Sequence, residues 1–389
     1  MKKALLGAVV ALGVAAIGWV LLGRSRESSG HFLLDVRAPS QGRGFSSALE
    51  QTVGAPLRPG HKLKLLPNGK VFDELTSAIR EARQSVNIEM YIWSHGRAST
   101  SVISALRERR KGVACRVLLD AEGSISRGDE VDKDLRDVEC SMLLFRKATA
   151  IFARNHRKVA VIDGRIGITG GFGVDDKWLG DARDEDHWRD TNVRVEGTAV
   201  SDMQEAFAED WQEAGGGLLP PGDFPDQPKD GSVPAAFVRS TASPVVTRAE
   251  RLTQLAIDSA HQRLLIENAY FVPGKPVLEL LGRRAKEGVE VRLLVPGRQS
   301  DSKLSFLYQQ REYRNLLKSG TRVWEFQPTM MHAKTMVVDS SLVIIGSVNL
   351  DPLSLNKLEE AALVAEDPAL ASELARLFDD DVARSKEQH

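Results

Sequence analysis

Apolar residues along the chain alternate between a helical period and strand-like runs. Residues 71–84 carry apolar side chains at helical spacing, and residues 85–93 have the composition of a buried strand. Residues 100–111 are again helical in pattern and end at Gly112, a plausible C-cap, before the strand-like residues 113–119. Alternation of this kind predicts an α/β fold, in which helices cover the faces of a sheet.

The second part of the chain repeats this order. Residues 249–260 and 276–286 are helical in pattern, and residues 263–272 and 288–295 are strand-like. Residues 111–119 align with 287–295, which places Gly288 176 positions (288 − 112) after Gly112. A constant offset over a long stretch indicates duplication. We therefore expect a first half in residues 61–214, a Gly/Pro-rich linker in 215–244, and a second half in 245–389.

Residues 1–60 follow a different pattern. Residues 4–23 form a run of 20 uncharged, mostly apolar residues with basic residues on both sides, about the length that crosses a bilayer. This predicts an N-terminal transmembrane anchor in residues 1–26 in a cell membrane, with its orientation left open. A cleaved signal peptide is the alternative, but no good small-x-small cleavage site follows. Residues 27–60, rich in Ser, Gly, Arg and Pro, are predicted to be a tether.

Composition narrows the function only mildly. The chain has 389 residues, 52 basic and 53 acidic, with a net charge of −1, so a role in coating nucleic acid is disfavoured. The two cysteines, Cys115 and Cys140, lie in or beside apolar strand-like runs and form no C-x-x-C pair. We expect buried free thiols rather than a disulfide or a metal site.

One motif occurs in both halves with the pattern H-x-K-x4-D-x6-G. Its histidines are separated by 176 positions (332 − 156), as are its other members. The two copies consist of His156, Lys158, Asp163 and Gly170, and of His332, Lys334, Asp339 and Gly346. On a strand, positions i and i+2 share a face, so each histidine should project beside its lysine. Each aspartate has the opposite parity, and Asp163 begins an Asp-Gly turn signal, so we interpret both aspartates as structural.

These residue types suit the chemistry of a phosphodiester. One imidazole can attack phosphorus and form a phosphohistidine, and a second can act as general acid and then base. Lys158, Lys334 and Asn349 could stabilise the charge that builds on the phosphoryl oxygens. Ser347 and the backbone at Gly171 could add donors for the substrate anion. The chain lacks H-E-x-x-H, paired C-x-x-C and clustered acidic motifs, so we predict no metal and no cofactor.

A reactive histidine needs an acceptor that fixes its tautomer. Asp190 and Glu360 each precede a strand at equivalent places, separated by 170 positions (360 − 190). We expect each carboxylate to orient the histidine of its own half, and the alternative is a solvated carboxylate at a strand end. Tyr270 and Tyr91 could line the mouth of the site, although aromatic residues in strands more often belong to a core.

These stretches resemble the phospholipase D superfamily, which is marked by two H-x-K-x4-D-x6-G-S-x-N runs. Tyr270 to Pro273, Gly288 to Gly297, and His332 to Asp339 are most similar to bacterial cardiolipin synthases, and Trp188 to Thr191 agrees in the first half. The likeness covers residues 61 to 385. The chain departs from the pattern at Gly171 and Gly173, where Ser and Asn are usual, and at Leu353, where Arg is common.

The resemblance implies two phospholipase D-like halves, each a mixed, mostly parallel sheet flanked by helices, packed with pseudo-twofold symmetry around one site. It implies a membrane-bound phosphatidyltransferase that acts on phosphatidylglycerol through a phosphohistidine, with His156 as nucleophile and His332 as general acid and base. From the residues alone, the two roles could be reversed. A phospholipid hydrolase is the alternative, as is a nuclease, and we expect no nucleic-acid partner.

Overall fold

A computed structural model of the chain describes residues 37–145, 154–228, 230–243 and 246–389. The predicted anchor, residues 1–26, lies outside the described residues. None of the helices in the described ranges is both long and apolar enough to cross a membrane.

The first half alternates helices with strands, close to the predicted pattern. Short 3-10 turns occur at Ile125–Arg127, Asp176–Trp178 and Pro221–Asp223. The elements in chain order are α1 (Gly42–Val53), β1 (Arg58–Pro67), α2 (Lys70–Glu81), β2 (Ser85–Met90), α3 (Arg97–Glu108), β3 (Ala114–Asp120), α4 (Gly128–Asp137), β4 (Ser141–Phe145), β5 (Val159–Ile162), β6 (Ile166–Gly170), β7 (Thr191–Glu196) and α5 (Ala199–Glu213).

The second half repeats the same succession. Its elements are β8 (Val233–Ser240), α6 (Arg248–Asp258), β9 (Arg263–Asn268), α7 (Lys275–Lys286), β10 (Glu290–Pro296), α8 (Lys303–Leu317), β11 (Arg322–Phe326), β12 (Lys334–Val338), β13 (Leu342–Gly346), α9 (Pro352–Asn356), β14 (Glu360–Glu366), α10 (Pro368–Val382) and β15 (Ser385–Gln388).

The strands form a sheet in each half, and the two sheets join where β1 pairs with β8. In the first half β2, β3 and β4 are parallel, whereas β1, β7, β6, β5 and β2 pair with antiparallel neighbours. The second half has the parallel set β9, β10 and β11, and its other pairings are antiparallel. The prediction of mostly parallel sheets is therefore wrong. The turns at Asp163 and Asp339 are tight hairpins, and a tight hairpin joins antiparallel neighbours.

A shared apolar core connects the halves. Val159 and Val193 of the first half pack in one cluster with Val337 and Leu363 of the second. Residues of α5 and α10 belong to the same cluster, so these helices lie where the two halves meet. Separate outer cores lie under α2 and α3 in the first half and under α6 and α7 in the second.

Two predicted boundaries are corrected. The predicted tether, residues 27–60, contains α1 and the start of β1, because Phe45 and Leu49 are fully buried against the outer core of the second half. Burial of two such side chains contributes roughly 1.5–3 kcal/mol each. The predicted linker, residues 215–244, contains β8, which pairs with β14 along its length. Because β8 lies at the junction of the two sheets, these residues belong to the folded domain and not to a linker.

The expectation of free thiols is also wrong. Cys115 in β3 and Cys140 just before β4 form a disulfide, with their Cα atoms 4.6 Å apart. These parallel strands are direct neighbours, with Arg116 opposite Ser141, so the two cysteines face each other across the sheet. A sequence separation of 25 residues gave no sign of this register.

Candidate active site

The two halves meet at the backbone beside each motif histidine. The His156 N–H donates to the carbonyl oxygen of Glu359 at 2.9 Å, and the His332 N–H donates to that of Arg189 at 2.7 Å. Asn155 and Met331 form isolated parallel bridges to Glu359 and Arg189 in the same way. Each histidine is therefore fastened to the residue that precedes the carboxylate of the other half.

The side chains follow the backbone across this boundary. His156 Nδ1 lies 2.9 Å from Glu360 Oε1, and His332 Nδ1 lies 2.9 Å from Asp190 Oδ2. The expectation that each carboxylate orients the histidine of its own half is wrong, because the bridges bring Glu359 and Arg189 to the opposite histidine. With Nδ1 held as the donor, Nε2 is the nitrogen that each ring can offer for catalysis.

Both histidines are buried and favour the neutral form. Burial, followed by the charges of Lys158 and Lys334, lowers the pKa of His156 well below its usual value. Burial and then Lys334 lower the pKa of His332 to about 4, although Asp190 opposes the shift. A neutral imidazole has the lone pair that a nucleophile or general base needs.

The motif lysines lie beside the histidines, in the positions that the i, i+2 spacing predicts. Lys158 Nζ donates to the His156 carbonyl oxygen at 2.6 Å. Lys334 Nζ lies 2.9 Å from His332 Nδ1 and 3.0 Å from its Nε2. Burial lowers the pKa of Lys158 to about 7 and that of Lys334 to about 8. A phosphate anion between the lysines would favour their charged forms.

The two carboxyl groups differ in charge state. Burial raises the pKa of Glu360 to about 8. Burial also acts to raise the pKa of Asp190, but hydrogen bonds from His332 and Trp178, together with the His332 and Lys334 charges, bring it below its usual value. At neutral pH, Asp190 is therefore ionised, whereas Glu360 is mostly protonated.

The predicted donors of the second half have different roles in the structure. The Ser347 and Ser354 hydroxyls both donate to Glu360, so Ser347 holds a carboxyl group rather than facing the substrate. Asn349 is buried, and its backbone N–H donates to Ser354 Oγ at 2.7 Å. Among the described residues Asn349 Oδ1 has no hydrogen-bond partner. This buried amide is available for a ligand.

The glycines of the first half make room for their neighbours. A Cβ on Gly171 would collide with the carboxylate oxygens of Asp190, so a serine there would displace the carboxylate. A Cβ on Gly173 would lie 3.0 Å from Trp178 Cζ3. The lack of space beside Asp190 thus explains why position 171 is a glycine. The role of its backbone as an anion donor stays a prediction.

Aromatic rings enclose both histidines. The Tyr91 ring centroid lies 4.8 Å from that of His156. Around His332, the ring centroids of Trp178 and Trp188 are each 5.1 Å away, and that of Tyr270 is 6.3 Å away. The Tyr270 hydroxyl donates to Asp301 at 2.9 Å. Tyr270 therefore lines the site, where it was predicted, with its hydroxyl already engaged.

The motif aspartates lie in hairpin turns away from the histidines. Asp163 has a φ of 55° and accepts hydrogen bonds from the backbone N–H groups of Arg83, Gln84 and Ser85. Asp339 has a φ of 53° and accepts the equivalent bonds from residues 261–263. These contacts fasten each turn to the start of β2 or β9.

Sequence reasoning missed Trp178 and Ser354 as members of the site. They are separated by 176 positions (354 − 178), so the repeat offset that identified the histidines also relates these two residues. In the described ranges, no group of three or more His, Cys, Asp or Glu side chains is placed to hold a metal ion.

Comparisons with known proteins agree with this geometry. A family model described as "Cardiolipin synthase, PLD-like domain" matches residues 75–211 and 254–382, more than half of the chain. Cardiolipin synthase 1 of Bacillus anthracis is 30% identical over 373 residues, which are 91% of this chain and 73% of that protein. Cardiolipin synthase A of Pseudomonas putida strain GB-1 is 33% identical over 343 residues, 85% of this chain and 71% of that protein.

A solved structure shares the fold. The phosphatidylserine synthase of Haemophilus influenzae Rd KW20 matches with a TM-score of 0.67 at 13% identity, over 88% of this chain and 92% of that one. The chain therefore belongs to the cardiolipin synthase family of phospholipase D-like proteins. It is a phosphatidyltransferase of the cardiolipin synthase type, which confirms the resemblance seen in the sequence.

Proposed function

We propose that this phosphatidyltransferase uses phosphatidylglycerol as both donor and acceptor, and that the product is cardiolipin. The observation that carries the proposal is the pair of buried imidazoles, each held at Nδ1 by a carboxyl group from the other half and flanked by a lysine. This set supplies a nucleophile, a proton donor and cationic contacts for one phosphodiester.

In the first step, His156 Nε2 attacks phosphorus, and the bond from phosphorus to the head-group glycerol oxygen breaks. The bound phosphate anion favours the protonated form of His332, whose Nε2–H gives its proton to that oxygen, and free glycerol leaves. In the second step, neutral His332 removes a proton from the glycerol hydroxyl of a second phosphatidylglycerol, whose oxygen attacks phosphorus. The phosphorus–nitrogen bond then breaks, which releases cardiolipin and restores His156.

The unequal carboxyl groups support this assignment of roles. Ionised Asp190 lies 2.9 Å from His332 and stabilises the imidazolium that a general acid must carry. Glu360, with a pKa of about 8, brings less negative charge to His156 at neutral pH, which favours a neutral nucleophile. In this scheme, Lys158, Lys334 and Asn349 contact the non-bridging phosphoryl oxygens in both steps.

We propose that residues 1–26 anchor the two phospholipase D-like halves to a membrane. The support is the uncharged run in residues 4–23 and the lipid nature of the proposed substrate. An anchor would keep the site close to a two-dimensional pool of both lipids.

The test is a product assay with the full chain and phosphatidylglycerol in detergent micelles. We expect cardiolipin and glycerol in equal amounts, with His156→Ala inactive as the control. Phosphatidic acid without cardiolipin would overturn the proposal in favour of hydrolysis. Degradation of single-stranded DNA without lipid turnover would favour a nuclease.

A further inference from the structure

Trp178 holds the carboxylate that orients His332. Its indole Nε1–H donates to Asp190 Oδ2 at 2.7 Å, the same oxygen that accepts from His332 Nδ1. The indole is buried, and its ring meets the imidazole nearly edge-on, at an interplanar angle of 83°. One side chain therefore contacts both members of the His332–Asp190 pair.

In the second half, hydroxyl groups rather than an indole hold the carboxyl group that orients the histidine. Ser354 stands at the position equivalent to Trp178, and it donates to Glu360 together with Ser347. The local turns correspond as well, because Asp175 caps the turn that carries Trp178, and Asp351 caps the helix that carries Ser354. The two positions are structurally equivalent, and only the donor differs.

The space that Asp190 and Trp178 occupy explains the two glycines at which the first half departs from the motif. A Cβ on Gly171 would meet Asp190, and a Cβ on Gly173 would lie 3.0 Å from the Trp178 ring and 3.1 Å from Ile92 Cβ. Their equivalents in the second half are Ser347 and Asn349. The first half has thus exchanged two hydroxyl donors and one amide for a single indole and the room that it needs.

An indole N–H donates hydrogen bonds and cannot accept them, whereas a serine hydroxyl does both. Asp190 receives N–H donors at both oxygens, from Thr191 at Oδ1 and from Trp178 and His332 at Oδ2. Such a set fits an ionised carboxylate. Around Glu360 the hydroxyls can rotate and accept a proton, so that set also tolerates a neutral carboxyl group.

We propose that Trp178 is a positioning residue that keeps Asp190 in place as a permanent acceptor and thereby fits His332 for acid–base catalysis. This inference rests on the proposed function, because it assigns His332 the proton transfers. The different donors also make the site asymmetric. The carboxylate of the first half supports His332 as the general acid, and the carboxyl group of the second half supports His156 as the nucleophile.

The test compares Trp178→Phe with Trp188→Phe. Both indoles pack 5.1 Å from His332, but Asp190 accepts a hydrogen bond from Trp178. Without that donor the carboxylate is more basic, so the His332–Asp190 pair should retain its proton to higher pH. We expect NMR titration of the His332 ring in the full chain to move to higher pH in Trp178→Phe and to stay at the wild-type position in Trp188→Phe.

Kinetics give a second readout. Trp178 donates to Asp190 and is not among the groups proposed to contact the phosphate, so Trp178→Phe should lower kcat roughly ten- to a hundredfold with KM unchanged. Loss of burial would also raise the His332 midpoint, and Trp188→Phe controls for it because that indole lies equally close to His332. A wild-type midpoint in Trp178→Phe, or an equal shift in Trp188→Phe, would overturn the inference.

A rescue experiment checks the exchange of donors. Trp178→Ser combined with Gly171→Ser and Gly173→Asn rebuilds the second-half set, and we expect it to recover activity relative to Trp178→Ser alone. No recovery would contradict the exchange. The titration needs no lipid, so its outcome is separate from the product assay: formation of phosphatidic acid would refute the proposed acceptor and leave the role of Trp178 standing.

Discussion

His156 Nδ1 lies 2.9 Å from Glu360 Oε1, so the first histidine is oriented by a carboxyl group 204 residues further along the chain. His332 has the reciprocal relationship with Asp190. We therefore expect chemistry at each histidine to depend on the carboxyl group of the opposite half, and this dependence can be measured.

The crossed pairing predicts which step each carboxyl group supports. Asp190→Ala and Glu360→Ala should both slow turnover of phosphatidylglycerol, by roughly 10- to 100-fold. With a p-nitrophenyl ester of phosphatidic acid, whose leaving group needs no proton, Asp190→Ala should form the phosphohistidine at nearly the wild-type rate. Glu360→Ala should remain slow. The measurement is the burst of nitrophenolate in rapid mixing.

His332→Ala and His156→Ala are the matched references for this burst. The first should behave like Asp190→Ala, and the second should show no burst. If Glu360→Ala retained the burst and Asp190→Ala lost it, one of two proposals would be wrong. Absence of the burst in His156→Ala would then mean that the carboxyl groups serve the histidines of their own halves, and its absence in His332→Ala would mean that the roles of the two histidines are reversed.

Amide substitutions should separate the two carboxyl groups at neutral pH. Glu360, with a pKa of about 8, is mostly protonated there, and an amide imitates a neutral carboxyl group. Glu360→Gln should therefore keep activity within about tenfold of wild type. Asp190 is ionised, with a pKa below its usual value, so Asp190→Asn removes a charge and should cost roughly 100-fold in kcat. Equal losses at pH 7 would contradict the difference in charge.

Substrate binding should weaken as the solution becomes alkaline. In the free site the pKa of Lys158 is about 7 and that of Lys334 is about 8, so each ammonium loses its proton as the pH rises through these values. An anionic lipid then loses its cationic contacts, and KM should increase between about pH 7 and pH 9. Lys158→Arg carries a guanidinium that does not titrate in this range, so its KM should rise less. A flat KM in wild type would contradict the expectation.

The disulfide between Cys115 and Cys140 should stabilise the first half. It joins residues 25 positions apart, for which the loss of chain entropy in the unfolded state corresponds to about 3.5 kcal/mol. We expect a reductant to lower the free energy of unfolding in urea by about this amount. The double variant Cys115→Ser, Cys140→Ser should be equally destabilised and insensitive to the reductant. If the urea midpoint of wild-type unfolding did not change with the reductant, the prediction would be contradicted.

Local patterns in the sequence were enough to predict the repeated α/β order and the position of each lysine beside its histidine. The strand β9 begins at Arg263, as predicted, and β10 (Glu290–Pro296) covers most of the predicted residues 288–295. Turn chemistry was equally readable, since Asp163 and Asp339 occupy left-handed turn positions before residues that continue the hairpin. These features depend on neighbours within a few residues.

Contacts between distant segments were not readable in the same way. The partner of His156 is set by a backbone bridge to Glu359, and no periodicity in one half carries that information. The helix α1 was missed because its composition resembles a tether, and it is burial of Phe45 and Leu49 against the second half that makes it fold. The register that unites Cys115 with Cys140 likewise depends on how β3 pairs with β4.

The crossed pairing has a consequence for how such a site can change. A chain with one half would leave its histidine without an acceptor, and two identical copies would be needed to complete the set. In such a homodimer every substitution appears on both sides at once. Fusion into one chain removes that constraint, so an indole can enter beside one histidine while hydroxyl groups remain beside the other. Two unequal halves in one chain would thus allow the two histidines to take different roles.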